Sequence, residues 1–207
     1  MNYKRISTQV TLILFAVAVF VNLTVVAAEI IPKGWFKAGD DPKNYEMSLD
    51  TVVKHSGKAG AHIKFIGVQP TGFGTLMQMF KADDYRGKRV RMSGWIKTEN
   101  ADKAQLWMRL DGERRTLGFD NMEERAAKGT TDWKKYEITL DVPENTVAIG
   151  FGAFVVGKGQ AWVDDFQFEI VGKDVASTNL MAGPSEEQEA RPPREFPKQP
   201  ANLNFED

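Results

Sequence analysis

The sequence of 207 residues contains no cysteine. Disulfide bonds, thiol nucleophiles, iron–sulfur clusters, cysteine-ligated zinc and a lipidated N-terminal cysteine are therefore excluded. The two histidines are too few for a three-histidine metal site. The charges almost cancel, with 27 Lys and Arg against 28 Asp and Glu, so the basic excess expected of a nucleic-acid-binding protein is also lacking.

The residues that are present suffice for one folded domain. Hydrophobic residues make up 42% of the chain and aromatic residues 11%, which is enough to bury a core. Charged residues make up 27%, a share typical of globular proteins. Because domains usually hold about 100–200 residues, we expect a single one.

The first 28 residues have the layout of a secretory signal peptide. Lys4 and Arg5 precede an almost wholly apolar run at 11–21, and small residues at 26–28 offer a cleavage site. The alternative is an uncleaved anchor, although the apolar stretch is short for a membrane span. We expect cleavage and a secreted or periplasmic location, with the membrane as a partner only if this segment is retained.

Short runs of alternating apolar and polar residues fill the chain from 34 to 171. Period-two alternation is typical of strands, and turn residues such as Asp111-Gly112 separate the runs. Only residues 121–128 have a helical pattern. We predict an all-β domain at 29–173, an antiparallel β-sandwich or barrel. The predicted strands are 45–50, 61–66, 74–80, 90–98, 105–111, 116–121, 133–142, 147–156 and 161–171.

Residues 174–207, called the tail below, differ in composition from this domain. They hold five of the nine prolines, and their 3 basic against 7 acidic residues give a net charge of −4. A segment so polar buries little apolar surface, so we predict a linker or a disordered tail. The residues 202–206 alternate again and are a candidate strand.

The predicted strand 105–111 has one unusual face. Its even-numbered residues are all apolar and belong in the core, whereas its odd-numbered residues place Trp107 beside Arg109 and Asp111. An aromatic platform next to fixed charged groups is typical of sites that bind a sugar ring and its hydroxyls. We predict a ligand site centred on these three residues. The predicted rim residues are Asn121, Arg125 and Gln78.

A structural interpretation of the same residues stays open. In that interpretation, Arg109 pairs with Asp111 or Asp120 in a network beneath the loop 122–128, and no ligand is involved. The predicted strand 90–98 shows a similar alternation around Trp95, so the pattern alone does not single out one face.

Nothing in the sequence favours catalysis. Glycoside hydrolysis needs two carboxylates at a defined separation, and no spacing among Asp111, Asp120, Glu123 and Glu124 singles out an acid and a base. The histidines show no Ser-His-Asp arrangement. We predict that the chain is not an enzyme.

Four short segments carry a resemblance to a known superfamily. They are Gly34-Trp35-Phe36, Leu49-Asp50 with the turn His55-Ser56-Gly57-Lys58, Gly94-Trp95-Ile96, and Trp162-Val163-Asp164-Asp165-Phe166. In these residues the chain resembles galactose-binding-like jelly-roll domains, which include carbohydrate-binding modules of bacterial secreted enzymes and domains of some regulators. The resemblance runs from Gly34 to about Glu169 and implies a jelly-roll β-sandwich. Residues 106–111, 119–122 and 129–133 resemble one branch whose role is poorly defined.

One departure from the superfamily concerns its usual first strand, which resembles Asn-Leu-x-Phe-Glu and precedes the Gly-Trp segment. Here the matching residues, Asn202–Glu206, stand at the opposite end of the chain. The tail either folds back to supply this strand, begins a further domain, or exchanges with a second molecule. A chance match is the remaining alternative.

The resemblance also implies a structural calcium ion. In such domains the first-strand Glu, the acidic pair of the last strand and carbonyls of the Ser-Gly-Lys turn commonly hold it. The corresponding positions here are Glu206, Asp164 or Asp165, and the backbone near 56–58. Because Asp164 and Asp165 face opposite sides of a strand, only one is expected to reach the ion. In the alternative, Asp165 merely caps the strand edge.

Together these features predict a secreted, non-catalytic module that binds carbohydrate or a cell-surface polymer, without nucleic acid as a partner. The alternative is a structural or protein-interaction domain left from a larger secreted enzyme, which the displaced Asn202–Glu206 segment favours. A hydrolase is a third alternative. The sequence specifies neither the ligand nor the oligomeric state.

Overall fold

The computed structural model describes residues 30–189 and 195–207. The predicted signal peptide, residues 1–28, lies outside the described residues. Within the described part of the chain, no helix has the length and apolar character needed to cross a membrane.

Nine strands form the described fold, and every pairing between them is antiparallel, as predicted. They are β1 (Phe36–Gly39), β2 (Tyr45–Asp50), β3 (Gly60–Phe65), β4 (Phe73–Lys81), β5 (Arg89–Asp111), β6 (Thr116–Asp120), β7 (Ala127–Asp141), β8 (Ala148–Val156) and β9 (Gln160–Val171). Two 3-10 helices span Pro42–Asn44 and Glu123–Arg125. The helical pattern at 121–128 therefore folds as a single turn, because Ala127 already pairs with Ala104 of β5.

β5 belongs to both layers of the sandwich. Its first half, 89–99, pairs with β9, and its second half, 103–111, pairs with β8. Between the halves, Asn100 adopts a left-handed backbone conformation with a φ of 50°. The result is a front layer in the order β1-β4-β8-β5-β6 and a back layer in the order β2-β3-β9-β5-β7.

The hydrophobic core lies between these layers. Leu106, Met108 and Leu110 point into it from β5, and all three are fully buried. The ring of Phe151 from β8 contacts that of Phe168 from β9, with centroids 4.9 Å apart. Burial of each such side chain contributes about 1.5–3 kcal/mol, so these alternating residues hold the two layers together. The opposite face of the front layer is left free for a site.

The end of the tail packs into this core. Phe205 is 1% exposed, and its ring lies 5.0 Å from that of Trp35. The indole N–H of Trp35 donates to the carbonyl oxygen of Asn202 at 3.0 Å. The segment forms a turn rather than the candidate strand. In this structure it folds back on its own chain and completes the core.

The part of the tail before residue 190 lies along the edge of the front layer. The N–H of Leu180 donates to the carbonyl oxygen of Phe119, and that of Ser185 donates to that of Thr116, both at 2.9 Å. These bonds cover the outer edge of β6, whose main-chain groups would otherwise be unpaired. The linker or disordered tail predicted from the polar composition stays a prediction; in the structure, main-chain and side-chain hydrogen bonds place this part of the tail against β6.

Candidate functional site

The outward face of the front layer is hollowed into a cleft of about 660 Å³. Residues that line this cleft alternate along each strand with residues that face the core. The apolar lining includes Phe36, Phe73, Met77, Met79, Phe119 and Phe154. The polar lining includes Asp40, Thr75, Arg109, Asn121 and Glu123.

Trp107 forms the floor of the cleft and is 7% exposed. Its indole N–H donates to Thr75 Oγ1 at 2.9 Å, and that hydroxyl donates to the carbonyl oxygen of Ala153 at 2.8 Å. Because the indole N–H is satisfied within the protein, the ring is held in one orientation. The cleft therefore has a fixed aromatic surface at its floor.

Two glycines of β8 pack closely, one against this ring and the other against β4. A Cβ atom on Gly150 would lie 3.5 Å from the Trp107 ring, so the ring lies directly over this residue. A Cβ atom on Gly152 would lie 2.2 Å from the carbonyl oxygen of Leu76 on β4. No side chain tolerates that distance, so glycine at 152 lets β4 and β8 approach closely.

Arg109 adds a fixed cation to the cleft. Its guanidinium donates two hydrogen bonds to the carboxylate of Asp111, at 2.8 and 2.9 Å. Its Cζ atom lies 6.0 Å from the centroid of the Trp107 ring. Asp111 is buried and holds the guanidinium in place, so it acts on the cleft through Arg109.

The polar end of the cleft lies at the turn after β6. Lys103 pairs with Glu123, and this hydrogen bond holds the pKa of the Glu123 carboxyl below its usual value. Gln105 donates its amide N–H to the carbonyl oxygen of Asn121 at 2.6 Å. Its fully buried Oε1 atom has no hydrogen-bond partner among the described residues. Gln105 lies behind the cleft lining, and its bond to Asn121 holds that residue at the polar end of the cleft.

The structure does not bring Gln78 and Arg125 to this cleft. Gln78 lies on the opposite face of β4, where it accepts the N–H of Ala201 at 3.0 Å and donates to its carbonyl oxygen at 2.5 Å. Arg125 pairs with the buried Asp120 and donates to the carbonyl oxygen of Glu137 at 3.2 Å. The alternative interpretation paired Arg109 with Asp111 or Asp120. In the structure, Arg109 pairs with Asp111, and Asp120 pairs with Arg125 instead.

The three predicted calcium ligands converge on the turn 55–58. Asp164 accepts two main-chain N–H groups of this turn, at 2.9 and 3.1 Å, and its burial raises the pKa of its carboxyl. Asp165 contacts Nδ1 of His55 at 2.7 Å, and Glu206 accepts a main-chain N–H of the turn at 2.5 Å. In the described part of the chain, no three His, Asp or Glu side chains are grouped to hold a metal ion. The turn thus offers N–H donors where calcium needs oxygen ligands, and calcium stays an untested prediction.

A second aromatic group lies on the outward face of the back layer. The ring of His55 stacks on Trp95 with centroids 3.9 Å apart, and Trp133 meets His55 edge-on at 5.6 Å. Lys97 and Asp132 form an ion pair at 2.8 Å on the same face. This surface also combines aromatic rings with charges, but its rings cover one another and its charges are paired.

The apolar walls of the cleft were not predicted from the sequence. Met77 and Met79 lie in the predicted strand 74–80, and Phe154 lies in 147–156. Their spacing of two residues indicates that Met77 and Met79 share one face of a strand. Both faces of these strands carry apolar residues, however, so the pattern does not show which face meets the core.

The fold is an antiparallel β-sandwich, as predicted, and solved carbohydrate-binding and enzymatic domains share it. The CBM22-1 xylan-binding domain from Paenibacillus barcinonensis matches 69% of this chain and 89% of its own, with a TM-score of 0.50 and 16% identity. The enzymatically active domain of tailspike protein 4 from bacteriophage CBA120 matches 67% of this chain and 20% of that chain, with a TM-score of 0.51 and 11% identity. At such identities these likenesses show the fold alone, and the fold serves binding and enzymatic proteins alike.

A protein of Bacillus subtilis (strain 168), named an uncharacterized HTH-type transcriptional regulator, YbfP, is 45% identical to this chain over 178 residues. The match covers 84% of this chain and 57% of that protein, so the chain spans little more than half of its relative's length. No protein-family profile matches the chain. The predicted secreted, non-catalytic binding module is contradicted by this relative, whose name is that of a transcriptional regulator. The exclusion of nucleic acid and the secreted or periplasmic location stay predictions.

Proposed function

We propose that this domain is the ligand-binding part of a regulatory protein and that its cleft binds a carbohydrate. The observation that carries the proposal is the make-up of the cleft. A fixed Trp107 ring forms its floor, Arg109 is held beside the ring, and Asn121 and Glu123 line its polar end. A sugar ring presents an apolar C–H face to such a floor and hydroxyls to such polar groups.

The relative from Bacillus subtilis supports the regulatory setting. The described residues form strands and two 3-10 helices, so they do not themselves provide an HTH-type element. Nearly half of the relative's length lies outside the match. We therefore propose a division of labour in which this domain recognises the ligand and another part of such a protein acts on DNA.

We propose binding without catalysis. Glycoside hydrolysis needs one carboxyl that is protonated and can act as an acid. Near the cleft, Asp111 is paired with Arg109, and Glu123 is paired with Lys103, which lowers the pKa of Glu123. A carboxyl with a lowered pKa stays ionised at neutral pH and is a poor proton donor.

Titration calorimetry against a panel of soluble saccharides tests the proposal. For a shallow cleft we expect a Kd of about 0.1–1 mM, equivalent to about −4 to −5.5 kcal/mol. Trp107→Phe removes the hydrogen bond to Thr75, and Arg109→Gln removes the cation, so each should weaken binding about tenfold. The matched controls Trp133→Phe and Arg91→Gln, on the back layer, should bind as the wild type does. No binding by the wild type would overturn the proposal, and so would equal losses in the two tryptophan variants.

A further inference from the structure

A second hollow of about 480 Å³ adjoins the cleft. Phe36 and Met79 line both spaces, so the two meet at these side chains. Phe36 is 44% exposed, which is unusual for a large aromatic residue in a folded domain. The far wall of the second hollow is formed by Glu195, Phe196 and Pro197 of the tail.

Hydrogen bonds to β4 hold this part of the tail in place. The N–H of Lys81 donates to the carbonyl oxygen of Pro197 at 2.9 Å. Three residues earlier on the strand, the amide of Gln78 bonds to both main-chain groups of Ala201. β4 therefore carries the methionines of the cleft on one face and anchors the tail with its other face and its edge.

The size of the combined space bears on the ligand. Pockets for one small molecule measure about 300–1,000 Å³, and the cleft alone falls within that range. A single sugar ring over Trp107 would leave the second hollow and the exposed ring of Phe36 without contact. A linear chain of rings would cover all three surfaces.

Building on the proposed carbohydrate function, we infer that the ligand is a linear oligosaccharide that runs from Trp107 across Phe36 to Phe196. Phe196 is then a specificity-determining residue supplied by the tail, and it contacts only ligands long enough to reach it. Because β4 anchors the same segment, a bound oligosaccharide also holds the tail against the domain. Ligand length is thereby coupled to the order of the tail.

The test uses the full chain and the cello-, xylo-, malto- and laminari-oligosaccharides, each from one to six rings. In the series that binds, the affinity of the wild type should rise with length. Phe196→Ala should weaken binding of the longest member about tenfold, the effect of losing one aromatic contact, and leave the single ring unaffected. Phe196→Tyr should restore binding of the long ligand. Hydrogen exchange of residues 195–207 should slow with six rings and not with one.

The outcomes separate the two proposals. If some saccharide binds, Trp107→Phe weakens it, and yet one and six rings bind equally and Phe196→Ala changes nothing, the extended site is overturned while the carbohydrate function stands. If no member of any series binds the wild type, both proposals fall.

Discussion

The two halves of β5 carry the same alternation of tryptophan and cation on their outward faces, yet only one half forms a cleft. The second half places Trp107 and Arg109 at the floor of a concave surface. The first half places Trp95 and Lys97 on the back layer, where the ring of His55 covers Trp95 at 3.9 Å. The same residue types therefore give the buried floor of a cleft in one place and a partly exposed stacked pair of rings in the other.

The elements around the two tryptophans differ. Beside Trp107, β8 provides Gly150, which lies next to the ring, and Gly152, which lets β4 approach closely. Beside Trp95, β7 pairs Lys135 in register, and the ring itself is covered by His55. The surroundings of each tryptophan are thus set by neighbouring elements as much as by β5 itself.

Truncating Trp107 in the cleft should have the largest effect, and truncating Trp133 on the back layer is its comparison. Trp107→Ala removes a buried ring and its hydrogen bond to Thr75, so we expect a loss of about 3–5 kcal/mol in the free energy of unfolding. Trp133→Ala removes a half-buried ring and should cost no more than about 1 kcal/mol. Urea unfolding measures both, and similar costs would contradict the distinction between the two faces.

The glycines of β8 give the next largest expected effect. Gly152→Ala forces its methyl group against the carbonyl oxygen of Leu76, so we expect a loss of about 1–3 kcal/mol of stability. Gly150→Ala is the matched control, because its methyl group would meet the Trp107 ring at an ordinary contact distance. Thermal unfolding compares the two. An unchanged Tm for Gly152→Ala would show that the close approach of β4 and β8 does not need glycine.

Removing the charged partner of Arg109 in the cleft should have a smaller effect, which is expected on saccharide affinity. Asp111→Asn keeps the shape of the side chain but removes the charge that orients Arg109, so saccharide binding should weaken about three- to tenfold, or about 1 kcal/mol. Glu169→Gln does the same to the partner of Arg91 on the back layer and should leave binding unchanged. Calorimetry with one saccharide compares the variants. Equal affinities for both would argue that the orientation of Arg109 is irrelevant.

The smallest expected effect concerns pH and the first half of β5. A hydrogen bond from Arg89 lowers the pKa of Asp141 to about 2. Since this folded pKa lies below the unfolded value of about 3.9, the pair stabilises the fold above that value and is lost as the pH falls towards 2. The pair is partly exposed, so its contribution is below about 1 kcal/mol. In Asp141→Asn, Tm should fall less steeply between pH 4 and pH 2 than in the wild type, and identical acid limbs would contradict this role.

Much of the fold is readable from the sequence because period-two alternation directly reports half-buried strands. The joining of 90–98 and 105–111 into β5 was not predicted, since the two halves pair with different strands and the change of partner falls at Asn100. The docking of Phe205 is one of the alternatives that the displaced Asn-Leu-x-Phe-Glu pattern left open, and its turn conformation was not predicted. Local alternation shows which side chains share a face, but not what packs against that face.

The candidate site illustrates the same limit. Trp107, Arg109 and Asn121 share the cleft because they lie on one strand and the turn beside it. Gln78 was predicted beside them, but it faces the tail, because the polar segment that pairs with it is more than a hundred residues away. Such long-range partners are set by strand register, which no local pattern encodes.

The most direct test of the proposed site is a nuclear magnetic resonance titration that follows the indole N–H signals of the five tryptophans as a saccharide is added. Binding in the cleft should shift the signal of Trp107, which is fixed to Thr75 at its floor, and leave that of Trp133 in place. Shifts at Trp95 and Trp133 with none at Trp107 would move the site to the back layer and contradict the proposed role of the cleft.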